Sequence, residues 1–303
     1  MAARAKFESD TLVGAAYALG AFAWWGLNPI YFKAVGAAPV FEVLAHRVLW
    51  SVLFLAPLIQ LGRRWRHIAS VLRDRRTLLL LAVTGVILVG NWSLYIWSVA
   101  SAQLLQASLG YYVNPLISML LGFAVLGERL RLGQCVAVAL AGAGVLNLAI
   151  SYGAFPWLAL ALALSFAVYG LLRKIVAADS LEGLFVETLL VSPFALGLAI
   201  WFSASGAGLF GNRSFGMDLL LALAGPVTAI PLLWFASGAR RLRLAAVGFC
   251  QYINPTIQLL LGALLYHEPF TRAHLVTFAL IWTAIALYSL EAVRAQRAAV
   301  AAI

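Results

Sequence analysis

The stretch YVNPLISMLLGFAVLGE, from Tyr112 to Glu128, returns without a gap as YINPTIQLLLGALLYHE, from Tyr252 to Glu268. Tyr112/Tyr252, Asn114/Asn254, Pro115/Pro255, Ile117/Ile257, Leu120/Leu260, Leu121/Leu261, Gly122/Gly262 and Glu128/Glu268 are identical at a shift of 140. A match of that density makes the chain two copies of one unit. The charges flanking the copies are exchanged instead of repeated. The segment Ser98 to Gln103 has no basic residue, while its counterpart carries Arg240, Arg241 and Arg243. Arg129 and Arg131 follow the first copy, and Pro269 and Thr271 stand at the equivalent places after the second. Basic residues mark the cytoplasmic side of a membrane, so the two copies are expected to lie upside down relative to each other.

Composition agrees with a membrane setting. Of 303 residues 64% are apolar and 11% charged, more apolar surface than a soluble core can absorb. The net charge of +10 comes mainly from arginines in short loops between apolar runs. No basic patch is interleaved with aromatics, which argues against nucleic acid as a partner. Cys135 and Cys250 offer neither metal spacing nor a disulfide framework and are expected to pack as small apolar residues. The first span is expected to stay uncleaved: Ala21-Phe22-Ala23 resembles a cleavage site, but Glu8 and Asp10 occupy the would-be basic region.

Apolar runs of a length that crosses ~30 Å of hydrocarbon as helix fall near 11–33, 40–61, 77–98, 104–126 and 132–150, then 156–176, 182–202, 217–238, 244–266 and 272–290. The expected fold is an all-α polytopic membrane protein with ten transmembrane helices in two inverted five-helix repeats, residues 1–150 and 151–303. With the N-terminus inside, the inner segments hold nearly every basic residue, including Arg63 to Arg76, Arg173 and Lys174. Both termini are therefore expected in the cytoplasm. An odd number of spans per repeat inverts the second copy.

Several polar groups fall inside these spans. Pro115 and Pro255 each free a carbonyl, those of Tyr111 and Gln251, near the middle of a span. Tyr111, Asn114 and Ser118 share one helical stripe, and Gln251, Asn254 and Gln258 share its counterpart. Symmetric polar stripes at mid-membrane suit a substrate cavity; the plainer reading is a pair of kinked helices glued together by side chains. Asn91, Trp92 and Tyr95, with Tyr252, complete the residues expected along the substrate path, and Trp24 and Trp25 lie nearby. His46 and Arg47 lie about 10 Å inside the outer end of span two at 1.5 Å per residue. Glu187 lies at similar depth from the inner end of span seven, and Arg47 and Glu187 are 140 apart. Charges there are costly unless paired or hydrated, so these three are candidates for gating or coupling. Glu42 stands one turn from His46, an i, i+4 contact that would favour the charged imidazole. Glu128 and Glu268 end their helices and suit capping roles.

No phosphate-binding loop, nucleophile elbow or His-Glu-x-x-His motif occurs, and no metal or cofactor is expected. Two function classes remain: a secondary transporter, and a membrane enzyme or structural subunit without a recognisable catalytic motif. The inverted repeat favours the transporter.

The chain resembles the RarD family, linked to chloramphenicol sensitivity, of the EamA branch of the drug/metabolite transporter superfamily. The resemblance rests on Ala45-His46-Arg47, Gly90-Asn91-Trp92, Ala107 to Tyr111, Gly127-Glu128-Arg129, Tyr169-Gly170-Leu171, Glu187-Thr188 and Gly248 to Tyr252. It implies ten helices in two inverted bundles and an inner-membrane permease of small metabolites or drug-like solutes. The expected partners are a small-molecule substrate and the lipid bilayer, with ion or proton coupling and a homodimer both compatible with the pattern.

Overall fold

Continuous apolar runs with few breakers leave helix as the backbone's way to satisfy its own polar groups in lipid. The computed structural model describes residues 2–127, 132–152, 155–239, 241–242 and 250–301, and they form an all-helical protein. Glu128, Arg129, Arg131, Arg240, Arg243 and the start of the ninth expected span, 244–249, lie outside the described residues. The helices are α1 (Ala2–Ala34), α2 (Val40–Leu61), α3 (Trp65–Arg73), α4 (Arg75–Ala100), α5 (Leu104–Leu126), α6 (Leu132–Tyr152), α7 (Trp157–Ile175) and α8 (Ser180–Ser205). They continue as α9 (Phe215–Ala222), α10 (Ala224–Ala239), α11 (Ile253–Leu260, leading into a π turn at Leu261–Leu265) and α12 (Arg272–Ala301).

Among the described residues, seven helical segments are long and apolar enough to cross a membrane: Val40–Leu61, Arg75–Ala100, Leu104–Val125, Leu132–Ser151, Ser180–Ser205, Phe215–Phe235 and Arg272–Leu290. Trp157–Arg173 and Ile253–Leu265 are shorter apolar helices, and α1 is long but diluted by Trp24, Trp25, Asn28 and Pro29. Large apolar side chains such as Leu53, Val86, Leu146, Ile150 and Ile200 remain exposed on the outer helix faces. Such a surface belongs against lipid, not water.

Local signals account for the helix ends. Asp74 accepts hydrogen bonds from the N–H groups of Arg76 and Thr77 and caps α4. Gly127 and Gly206 close α5 and α8 in the left-handed region, at φ 68° and 69°. Two features differ from the sequence expectation. The segment 62–74, expected as a loop, contains α3, whose Ile68 and Val71 are buried. The eighth span is interrupted at Leu223, where Pro226 in the following turn has no N–H to continue the ladder.

Helices pack as α1 on α10 and α11, α2 on α8 and α10, α4 on α7 and α8, α5 on α7 and α11, and α6 on α12. Small residues set the close approaches. A Cβ on Gly85 would stand 3.2 Å from the Glu187 carbonyl oxygen, and one on Gly225 would strike the Trp50 backbone. Across α6 and α12, Asn147 donates to the Ala273 carbonyl at 3.1 Å and Thr277 to that of Gly144 at 2.9 Å. Cys135 is exposed, so it does not pack as expected: it faces outward from α6.

Candidate functional site

From its first turn α2 buries seven consecutive residues, Glu42 to Val48. Arg47 points into the bundle and is 6% exposed, as its cost in lipid demands. A central arginine costs about 2.5–3.5 kcal/mol on insertion scales. Its guanidinium carbon stacks 4.0 Å from the centre of the Trp92 ring and 5.4 Å from that of Phe32. Ring faces attract the cation but accept little from its in-plane N–H groups. Nε and Nη1 are buried without a hydrogen-bond partner. Among the described residues no acidic oxygen lies within 4.0 Å of it. The phenols of Tyr111, Tyr31 and Tyr95 lie in its neighbourhood. The Tyr95 hydroxyl is also buried and unpartnered, while that of Tyr31 donates to the Leu220 carbonyl at 2.8 Å.

From this cation a row of rings crosses the bundle. Phe32 meets Tyr95 at 5.7 Å between centroids, Tyr95 meets Tyr111 at 5.8 Å, Tyr111 meets Phe166 at 6.4 Å, and Phe166 meets Tyr169 at 5.8 Å. The Tyr169 hydroxyl donates to Glu187 Oε2 at 3.3 Å. Glu187 is 1% exposed and also accepts from Thr84 at 2.6 Å, with Arg173 Nε 3.8 Å away. Arg173 reaches it because residue 183, one turn earlier on α8, is glycine: an added Cβ would fall on the guanidinium. Edge-to-face rings of this kind give an apolar, flat-sided lining with polar tips.

The other expected path residues are spent differently. Asn91 donates to the Leu162 carbonyl at 3.1 Å and to Ser165 at 2.8 Å, and Asn114 donates to the Ala163 carbonyl at 2.9 Å. Both amides thus bind α4 and α5 to α7, the gluing role weighed above. Asn254 accepts from Gln258 at 2.7 Å, and Tyr252 stacks on Tyr112 with centroids 6.3 Å apart. Gln251 is half-buried next to Tyr252. Trp24 donates to the Val227 carbonyl at 3.2 Å and so packs inward, against α10.

A cleft of about 600 Å³ opens between α2, α8 and the loop before α9, lined by Glu42, His46, Trp50, Ser192, Ser203 and Phe210 among others. None of the mid-span path candidates lines it. The expected Glu42–His46 hydrogen bond does not form. His46 Nδ1 accepts from Trp50 at 3.1 Å, and the imidazole lies 4.4 Å from the Phe210 ring. Glu42 instead accepts from the N–H groups of Leu209 and Phe210, at 2.8 and 3.0 Å, because backbone donors of a tight loop offer two bonds where the imidazole offers one. Glu268 caps α5, accepting from Leu104 and Leu105, both at 2.8 Å.

Glu182, Arg173 and Tyr31 escaped the sequence reading. Glu182 accepts from Arg64 at 3.3 Å, with His67 at 3.5 Å. It stands 140 positions after Glu42, and the loop it holds stands 140 before the loop that Glu42 holds. Arg173 stands 140 after Lys33. The internal shift was therefore the signal that could have found both; nothing in the pattern marked Tyr31.

The EamA-like transporter family model matches residues 12–150. A Vibrio cholerae protein described as an uncharacterized transporter is 46% identical over 96% of this chain and 97% of its own length. Protein RarD of Salmonella typhi is 43% identical, over 95% of this chain and 98% of its own. A solved crystal structure covering 93% of this chain and 98% of its own superposes with a TM-score of 0.61 at 22% identity, a likeness of fold.

Proposed function

Because the chain belongs to the RarD family of EamA-like transporters, we propose that it is a secondary permease of the bacterial inner membrane. It moves small metabolites or drug-like solutes by alternating access between two inverted five-helix repeats, residues 1–150 and 151–303. Ten crossings follow from counting α1, α7, α9 with α10, and α11 with its π turn alongside the others. Both termini are cytoplasmic on this reading, from the bias of basic residues.

The observation that carries the reading is that helix contacts exchange under the 140-residue shift. The shift turns α1 into α7, α2 into α8, α4 into α9 and α10, α5 into α11, and α6 into α12. It then turns α1 on α10 into α7 on α4, α2 on α10 into α8 on α4, and α5 on α7 into α11 on α1; all of these contacts exist. The pairs α2 with α8, α5 with α11 and α6 with α12 map onto themselves. Gly85 and Gly225 are also mates, each at a close helix crossing. Paired repeats of this kind rock against each other around a site on their common axis. The ring row from Arg47 to Glu187 is the path we assign to substrate, with Arg47 and His46 towards the outer side. Glu187 at the inner side is the group we assign to ion or proton coupling.

The test compares metabolites released by cells with and without the gene, followed by flux of the responding solute in proteoliposomes. Export in cells and counterflow in vesicles are expected. A solute that is chemically converted by the detergent-purified protein, with no vesicle flux, would favour the membrane-enzyme alternative.

A further inference from the structure

Arg47 combines three features that call for a ligand. It is a buried charge with no acid at hand among the described residues. Two of its nitrogens lack a hydrogen-bond acceptor. The guanidinium lies against the Trp92 ring at 4.0 Å, so its surroundings on that side are an apolar wall. The Tyr95 hydroxyl adds a third buried donor without a partner, on a ring that shares its contact with Phe32. Buried donors of this kind are costly unless something accepts from them.

We propose that Arg47 and Tyr95 receive the carboxylate of a flat, apolar monocarboxylate whose body lies against Phe32, Trp92 and Tyr111. Planar donors on a guanidinium match the two oxygens of a carboxylate. One guanidinium neutralises a single negative charge, so a monoanion suits it and a phosphate dianion is disfavoured. The far acid, Glu187, is already bonded to Thr84 and Tyr169. An amino acid would therefore bring an ammonium group with no acceptor of its own. The ring walls supply the apolar area and edge-to-face contacts that a flat body uses. This assignment builds on the permease reading, and its test separates the two.

The test uses the purified full-length protein and 3-phenylpropionate as the probe, followed by thermal melting and tryptophan fluorescence, to which Trp92 should respond. The neutral 3-phenylpropanamide and zwitterionic phenylalanine serve as comparators. The amide and the amino acid are expected to need roughly tenfold higher concentration or more, the loss set by one charge-assisted contact. Arg47→Gln should erase the preference for the acid. Arg47→Lys should restore part of it, since an ammonium keeps the charge but not the planar donors. Tyr95→Phe should weaken the acid roughly fivefold, one neutral hydrogen bond. Equal binding of acid and amide by the unaltered protein would overturn the proposal even if every Arg47 variant failed to fold. So would an undiminished preference in a folded Arg47→Gln. Carboxylate-selective binding without vesicle flux would count against the permease and for this site. Flux of a neutral solute that 3-phenylpropionate does not inhibit would count for the permease and against this site.

Discussion

Glu187 is held by Thr84, Tyr169 and Arg173, whereas Arg47, its counterpart 140 positions earlier, lies against the rings of Trp92 and Phe32 with no acidic partner among the described residues. Removing one member of a buried, partnered set costs stability, whatever else that group does. A buried charge without them lowers stability and is retained for what it does.

That asymmetry predicts opposite behaviour on removal. Arg47→Met should leave thermal stability in detergent unchanged or raised, because an apolar chain of similar length replaces an unsatisfied cation, while flux is lost. Glu187→Ala should cost about 1–3 kcal/mol, because it strands buried donors on Thr84 and Arg173. Equal destabilisation by both substitutions would contradict the account.

Gly183 is small so that Arg173 can lie against α8. Gly183→Ala should displace the guanidinium and reduce both flux and melting temperature. Gly170→Ala, on the open side of α7 with nothing within 4 Å of an added Cβ, should fall within about 0.5 kcal/mol of the unaltered protein. The contrast between the two, read by melting and transport, checks that the contact and not the loss of glycine is responsible.

The Glu268 carboxylate ties the end of one repeat's helix to the start of the other's. Glu268→Ala should cost about 1–2 kcal/mol, as loss of a helix cap does, and should speed amide exchange at Leu104 and Leu105. Glu268→Gln should lose less, since an amide oxygen still accepts one bond.

Asp74 gives a pH dependence outside the membrane spans. Its hydrogen bond from the Thr77 side chain, helped by backbone bonds from Arg76 and Thr77, holds its carboxyl below the usual value. A depressed folded pKa means the cap is fully present above the ordinary carboxylate range and is lost as pH falls through the lowered value. Exchange at the first turn of α4 should therefore rise below about pH 4, and Asp74→Asn should remove that dependence.

The membrane class and the inward direction of Arg47 were legible in the sequence, because they follow from hydropathy and from the cost of charge in lipid. The fate of Asn91 and Asn114 was not: periodicity places them on inner faces, but only the approach of α7 decides whether an amide meets a carbonyl or a cavity. His46 and Glu42 were misjudged for a related reason, since an i, i+4 neighbour on one helix competes with backbone donors from a distant loop. The row of rings through Phe166 and Tyr169 joins residues far apart in the chain and carries no local signature.

Alternating access of the kind proposed requires the two repeats to lie upside down, and impermeant thiol labelling tests that most directly. With Cys135 and Cys250 replaced by alanine, single cysteines at Arg75 and Ser205 would be probed on intact and permeabilised cells. The inverted arrangement predicts labelling of position 205 on intact cells and of position 75 only after permeabilisation. Labelling of both positions on intact cells, or of both only after permeabilisation, would put mate loops on one side and contradict it; labelling at 75 alone would instead contradict cytoplasmic termini.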